Sequence, residues 1–168
     1  ENYMNISGII FDLDMTLVDT SLLISFRQNR QWRKVYANIP DTKIYTGIID
    51  LLIDLKSMYK VGIVTSSPRK YANKIIINHS IDIPILVAYH DTDFHKPSPE
   101  PILFGCHKLD CKPSEVISIG DDINDIIASN SAGATSVLVS WENSIPNSSH
   151  ANFSCTTVAD LKQYIKNK

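Results

Sequence analysis

Five short apolar runs, each bounded by turn-forming residues, punctuate the chain: "SGIIF", "KVGIVT", "IPILVAY", "EVISIG" and "TSVLVSW". Each is rich in Ile and Val and too brief to favour a helix, so each predicts a buried strand. The segments between them carry a different period. In "TGIIDLLIDLKSMY", Ile48, Leu51, Leu52 and Leu55 fall at i, i+3, i+4 and i+7 with acids and Lys opposite, which predicts an amphipathic helix. "PEPILFGCHKLD" opens with residues that suit a first helical turn and puts Ile102, Leu103 and Cys106 on one stripe. "DINDIIASNSAG" stops at Ala132-Gly133, and "TVADLKQYIK" reads as a last short helix. Strands and helices alternating in this way predict an α/β, three-layer Rossmann-like fold. Its core is a central parallel sheet of about five strands with helices on both faces. No repeat, low-complexity tract or linker divides the chain, so residues 1–168 read as one domain.

In sheets of this kind ligands bind beyond the carboxyl ends of the strands, and here the polar clusters follow strands. Asp12 and Asp14 follow "GIIF"; Thr65, Ser66 and Ser67 follow "VGIV"; Asp121, Asp122 and Asp125 follow "VISIG"; Lys96 comes a loop length after "IPILVAY". Side chains at i and i+2 of an extended chain share a side, so Asp12 and Asp14 are expected to face one small volume. Two like charges so close demand a cation or a proton between them. Asp121 and Asp125 add hard oxygen donors of the type that suits Mg²⁺. Lys96 supplies a point charge able to bridge a carboxylate and a phosphoryl oxygen. Thr65, with the N–H groups of the turn into the next helix, makes an anion cradle. An acid-rich site with one metal and donors for a tetrahedral dianion points to phosphoryl transfer. Each feature has a bland counterpart: a solvated turn for the aspartates, a helix cap for Thr65, a surface lysine for Lys96. The agreement of four strand ends decides against them.

Composition adds bounds. The chain has 168 residues, 43% of them hydrophobic and 20% charged, and a net charge of −2, which gives no global attraction to nucleic acid or anionic membrane. Its three cysteines contain no CxxC and are too few for a disulfide framework, so a reducing, cytoplasmic setting is expected. No apolar run reaches membrane-spanning length, and "ENYMNIS" lacks the features of a secretory leader. One basic segment stands out, "RQNRQWRK" from Arg27 to Lys34, with Arg27, Arg30 and Lys34 expected on one helix face. It reads as a solvated face ahead of a substrate-phosphate or nucleic-acid contact, since no other basic cluster accompanies it. His90 and His95 match no standard zinc spacing.

Four motifs in order give the chain a family resemblance. "DLDMT" (Asp12–Thr16), "VTSS" ending at Ser67, "HKPSPEP" (His95–Pro101) and "IGDDIND" (Ile119–Asp125) resemble the four motifs of the haloacid dehalogenase-like (HAD) superfamily of phosphohydrolases. The resemblance implies Asp12 as nucleophile, forming an aspartyl-phosphate, and Asp14 as general acid and base. It implies Thr65, with Ser66 beside it, and Lys96 as phosphate-binding residues, Lys96 also holding the nucleophile. Mg²⁺ would be held by Asp12, Asp121 and the main-chain carbonyl of Asp14. Asp125 would serve as a ligand through water or as a partner of Lys96. The implied activity is Mg²⁺-dependent hydrolysis of a phosphomonoester, on a small phosphorylated metabolite or an accessible phosphate of a larger substrate. Relatives with the KPxPEP form carry a helical cap between the first two motifs; here a short helical insertion at about 20–44 stands in its place. A missing cap argues against a phosphomutase, and Asp14 against a dehalogenase. A binding or scaffolding module on a retained fold is the alternative from another class, although no chemical residue is lost. Substrate identity and oligomeric state are not encoded in any motif.

Overall fold

The structure, a computed structural model, describes residues 5–141, 144–145 and 150–168. The first four residues, on which the reading of the N-terminus partly rests, lie outside this range. In chain order the elements are β1 (Gly8–Phe11), β2 (Val18–Asp19), α1 (Ile24–Gln28), α2 (Trp32–Asn38), β3 (Lys43–Ile44), α3 (Ile48–Lys56), β4 (Lys60–Val64), α4 (Arg69–Asn78), β5 (Ile85–Val87), α5 (Glu100–Lys108), β6 (Val116–Gly120), α6 (Ile123–Ala132), β7 (Thr135–Val139), β8 (Phe153–Cys155) and α7 (Val158–Lys166). The main sheet has the order β5-β4-β1-β6-β7-β8, every pair parallel. It is the α/β Rossmann-like architecture the alternation predicts, with six strands where five are expected. The sixth, β8, lies on the edge and offers only Phe153 and Cys155 as apolar residues, too little for a periodic signal.

β1 sits near the centre of the sheet and is buried throughout. Alternation along it feeds two cores: Ile9 and Phe11 pack with α3, α4 and α7, while Ile10 packs with α5 and α6. All four predicted helices form. On α5 the buried face is Pro101, Ile102, Gly105 and Cys106, whereas Leu103, expected on the stripe, is 43% exposed. Gly105 turns that face to the sheet because a Cβ there would lie 2.7 Å from Val64. Cys106, Cys111 and Cys155 are all free thiols. Among the described residues, no helix is long and apolar enough to cross a membrane.

Two short strands, β2 and β3, pair antiparallel beyond the end of β1, and α1 and α2 lie between them. These two strands and two helices, with their turns, occupy residues 18–44 between the first motif and α3. The basic segment does not make one helix face. α1 stops at Gln28, Arg30 takes a positive φ of 54°, and α2 begins at Trp32. Arg27 therefore turns inward over the ring of Tyr71, 4.3 Å away, while Lys34 lies over Phe26.

Candidate active site

The parallel sheet delivers the carboxyl ends of β1, β4 and β6, with the loop after β5, to one edge. There Asp12, Asp14, Thr65, Ser66, Lys96, Asp121 and Asp125 all line a single cleft of about 380 Å³. β1 and β6 are clamped at this end by the Asp12 N–H, which donates to the Ile119 carbonyl at 2.9 Å.

Lys96 is the centre of the charged half. Its ammonium donates to Asp125 Oδ1 at 2.7 Å, to the Val64 carbonyl at 2.8 Å and to Asp12 Oδ1 at 3.4 Å, and its side chain is 6% exposed. Burial alone would lower its pKa, but the Asp12 and Asp125 carboxylates outweigh that and hold it firmly protonated. The loop bringing it here is fixed by Glu100 at the start of α5, whose carboxylate accepts the Phe94 N–H at 2.9 Å. Asp125 reaches Lys96 only because residue 120 is Gly: a Cβ there would lie 2.4 Å from the Asp125 carboxyl carbon. Its other oxygen takes the Asp122 N–H at 3.1 Å, closing a capping box at the start of α6.

Oxygens of Asp12, Asp121 and Asp125 lie within 4.8 Å of one another. Lys96 is the one cation paired with them among the described residues. Burial first, then the charge of Asp125, pushes the Asp12 carboxyl well above its ordinary pKa despite Lys96. The same two causes lift Asp121 to about 6. Excess negative charge on hard oxygen donors is the electrostatic signature of a divalent cation site, and Mg²⁺ fits these donors.

Asp14 lines the same cleft as Asp12 but stands apart from the Asp12, Asp121 and Asp125 cluster. The chain leaves the sheet after Phe11, Met15 turns it with a φ of 63°, and strict alternation ends. The Asp14 carboxylate lies outside the cluster and accepts three hydroxyls instead: Thr20 at 2.8 Å and Tyr71 at 2.5 Å on Oδ1, and Ser67 at 2.8 Å on Oδ2. Arg27 adds a looser ion pair at 3.7 Å. Thr20, Ser67 and Tyr71 are each buried. Burial, and then the charge of Asp14, raises the Tyr71 pKa, so its hydroxyl stays a proton donor. Sequence reasoning misses Thr20 and Tyr71, because neither belongs to a motif, and it reads Arg27 as part of a basic helix face rather than as a partner of Asp14. Pro68 occupies the cap of α4, so the Ser67 hydroxyl goes to Asp14.

The phosphate-cradle residues differ in setting. Thr65 is 3% exposed and its hydroxyl oxygen accepts the Ser67 N–H at 3.1 Å, leaving its proton for a ligand. Ser66 is exposed at the mouth of the cleft. Asp122 caps α6 by accepting the Asn124 N–H, and Asp19 accepts the Ser21 N–H in the loop after the first motif. His95 stacks on Tyr89.

Comparison with known proteins bears on the fold and the family. The chain is 26% identical over 183 aligned positions to the pyrophosphatase PpaX of Bacillus thuringiensis strain Al Hakam, covering 82% of this chain and 85% of the relative. Those positions outnumber the 168 residues here, so this chain has gaps against that relative. A HAD phosphatase from Thermococcus onnurineus superposes with a TM-score of 0.83 at 19% identity, covering 95% of this chain and 98% of that one. A predicted phosphoglycolate phosphatase from Haemophilus somnus superposes with a TM-score of 0.79 at 21% identity, with 95% and 98% covered. Identities this low speak for the fold alone. A family model for haloacid dehalogenase-like hydrolases matches residues 26–139. That stretch begins after Asp12 and Asp14, whose place in the cleft is set by the end of β1. The chain belongs to the haloacid dehalogenase-like hydrolases.

Proposed function

We propose that this chain is a Mg²⁺-dependent phosphomonoester hydrolase working through an aspartyl-phosphate on Asp12. The observation that carries the reading is the split environment of two carboxylates lining one cleft: Asp12 against Lys96 and the acidic cluster, Asp14 among hydroxyls. The Asp12 carboxylate attacks phosphorus, forming an acyl-phosphate bond as the bond to the leaving oxygen breaks. Asp14 gives that oxygen its proton, then takes one from the water that attacks the phosphoenzyme, releasing inorganic phosphate and restoring Asp12. Its three hydroxyl partners orient it for both transfers. Lys96 and the Thr65 hydroxyl hold the phosphoryl oxygens, with Ser66 available at the mouth. The carboxylates of Asp12 and Asp121, the Asp14 main-chain carbonyl and Asp125 would hold Mg²⁺. When bound, the ion would offset the charge of Asp12 and of the phosphoryl group. With both oxygens of Asp125 engaged by Lys96 and the Asp122 N–H, Asp125 serves first as the partner of the lysine.

We further propose that residues 1–168 act as one catalytic domain in which the short insertion replaces a lid. The site is open, so the substrate is a small phosphorylated metabolite or a phosphate on something larger. The relative named pyrophosphatase favours a second reading, in which the leaving group is itself phosphate. Phosphate release from a panel of monoesters and inorganic pyrophosphate, with Mg²⁺ and with EDTA, tests both. Metal-dependent release that disappears in Asp12→Asn supports the hydrolase, and the ranking chooses the leaving group. No release from any member, and no binding of beryllium fluoride, would leave a scaffold on this fold instead.

A further inference from the structure

Beside the acid cleft lies a larger one, of about 480 Å³, with a mostly apolar wall made by Ile24, Trp32, Pro68 and Tyr89. Arg27 and Ser66 line both clefts, so the two adjoin. The wall is exposed where a fold would ordinarily hide it: Ile24 is 46% and Tyr89 39% accessible. Tyr89 is also held in place. It stacks on His95 with centroids 3.7 Å apart and an interplanar angle of 16°, so its ring is tied to the residue next to Lys96. Trp32 comes from the other side, on α2, backed by Tyr36 at 6.0 Å. Charge is sparse here. Arg27 is the one permanent cation on the lining, and it is turned toward Asp14 and the ring of Tyr71. A second phosphate placed in this cleft would have to draw Arg27 away from Asp14, and a small polyol would leave the apolar wall wet. A flat ring would cover that wall and gain both burial and aromatic contact.

We propose that this cleft is a leaving-group subsite, and that the enzyme selects phosphate monoesters whose leaving alcohol or phenol carries a flat, mostly apolar ring. The proposal rests on the hydrolase reading and sharpens it. The insertion, too short to form a lid, would then act as one wall of a specificity pocket. Phosphate in the acid cleft would send its ester oxygen past Asp14 and the ring into the space between Trp32 and Tyr89.

The test is calorimetric binding of phenylphosphonate and methylphosphonate to the full chain with Mg²⁺, because a C–P bond survives this chemistry. The expected result is at least about tenfold tighter binding of the phenyl compound. That ratio should shrink to about threefold or less in Trp32→Ala and in Tyr89→Ala, two substitutions on separate elements. Should one variant fail to fold, the other carries the result. Equal affinity of the two phosphonates, or a ratio untouched by both variants, overturns the subsite. Hydrolysis of acetyl phosphate, which has no ring, is followed alongside. Turnover without a ring preference sinks the subsite alone, whereas no turnover and no phosphonate binding sinks the hydrolase reading with it.

Discussion

Asp12 and Asp14 are two residues apart and line the same cleft, yet their surroundings have almost nothing in common. Around Asp12 the interactions are between full charges: one lysine, with Asp121 and Asp125 close by, all partly or wholly buried. Around Asp14 they are hydrogen bonds from three buried hydroxyls, with an arginine at longer range. A charged cluster in low dielectric holds a dianion and a metal by field strength, and its members are costly unless compensated. A ring of donating hydroxyls fixes a carboxylate in space through directed hydrogen bonds. The contrast is between a field of full charges and a frame of hydroxyls, although sequence makes the two carboxylates look like a matched pair.

Breaking the charged half should have the largest effect. Lys96→Ala leaves Asp12 and Asp125 without the ammonium they share, and loss of one partner from a buried ion pair costs about 3 kcal/mol of stability. Turnover should fall by roughly 10²- to 10³-fold. Urea unfolding in metal-free buffer and steady-state kinetics measure the two losses, and Mg²⁺ should restore part of the stability but little of the rate. A variant that keeps wild-type turnover would contradict the place given to Lys96.

The hydroxyl half should break more gently. Tyr71→Phe removes one of the three donors to Asp14 and costs about 1 kcal/mol. The expected loss in turnover is about tenfold on a monoester whose leaving oxygen needs a proton, read in rapid-quench experiments as slower formation and slower hydrolysis of the phosphoenzyme. Formation from acetyl phosphate, whose leaving group needs no proton, should be spared; an equal slowing there would make Tyr71 a structural residue only.

The smallest effect concerns the far end of α4, the helix that carries Tyr71. There His79 Nε2 meets the Thr42 hydroxyl at 2.7 Å, tying α4 to the end of the insertion. That hydroxyl spends its proton on the Ile39 carbonyl, so the imidazole donates. Burial lowers the His79 pKa below its ordinary 6.5. Above that pH the ring is neutral in both states and its contribution is intact. As pH falls below it, the unfolded chain takes up the proton first and stability is lost down through the folded pKa. Urea midpoints between pH 7.5 and 5.5 should fall further for wild type than for His79→Gln; parallel curves would remove His79 from the account.

How far the sequence anticipates the molecule depends on the kind of signal. β1, β4, β6 and β7 are legible because strands buried on both faces read as near-continuous apolar runs. The placement of Asp12, Thr65, Lys96 and Asp121 follows from the rule that parallel strands deliver their ends to one edge. β8 escapes because a three-residue edge strand has no period to read. The partners of Asp14 escape because they arise from tertiary packing. Tyr71 is a helix-core residue until the turn at Met15 aims a carboxylate at it, and Arg27 looks like part of a basic helix face until α1 ends at Gln28. Gly120 lies within a motif, but its reason, room for the Asp125 carboxylate, appears only in three dimensions.

The most direct measurement of the division between the two carboxylates is acid-quench trapping of phosphoenzyme from ³²P-labelled acetyl phosphate, in wild type, Asp12→Asn and Asp14→Asn. Acetate leaves readily without a proton, so formation of the intermediate should not depend on Asp14. The account predicts a hydroxylamine-sensitive phosphoenzyme that accumulates in Asp14→Asn and is absent in Asp12→Asn. Label retained by Asp12→Asn, or no accumulation in Asp14→Asn while phosphate is still released at the wild-type rate, would contradict it.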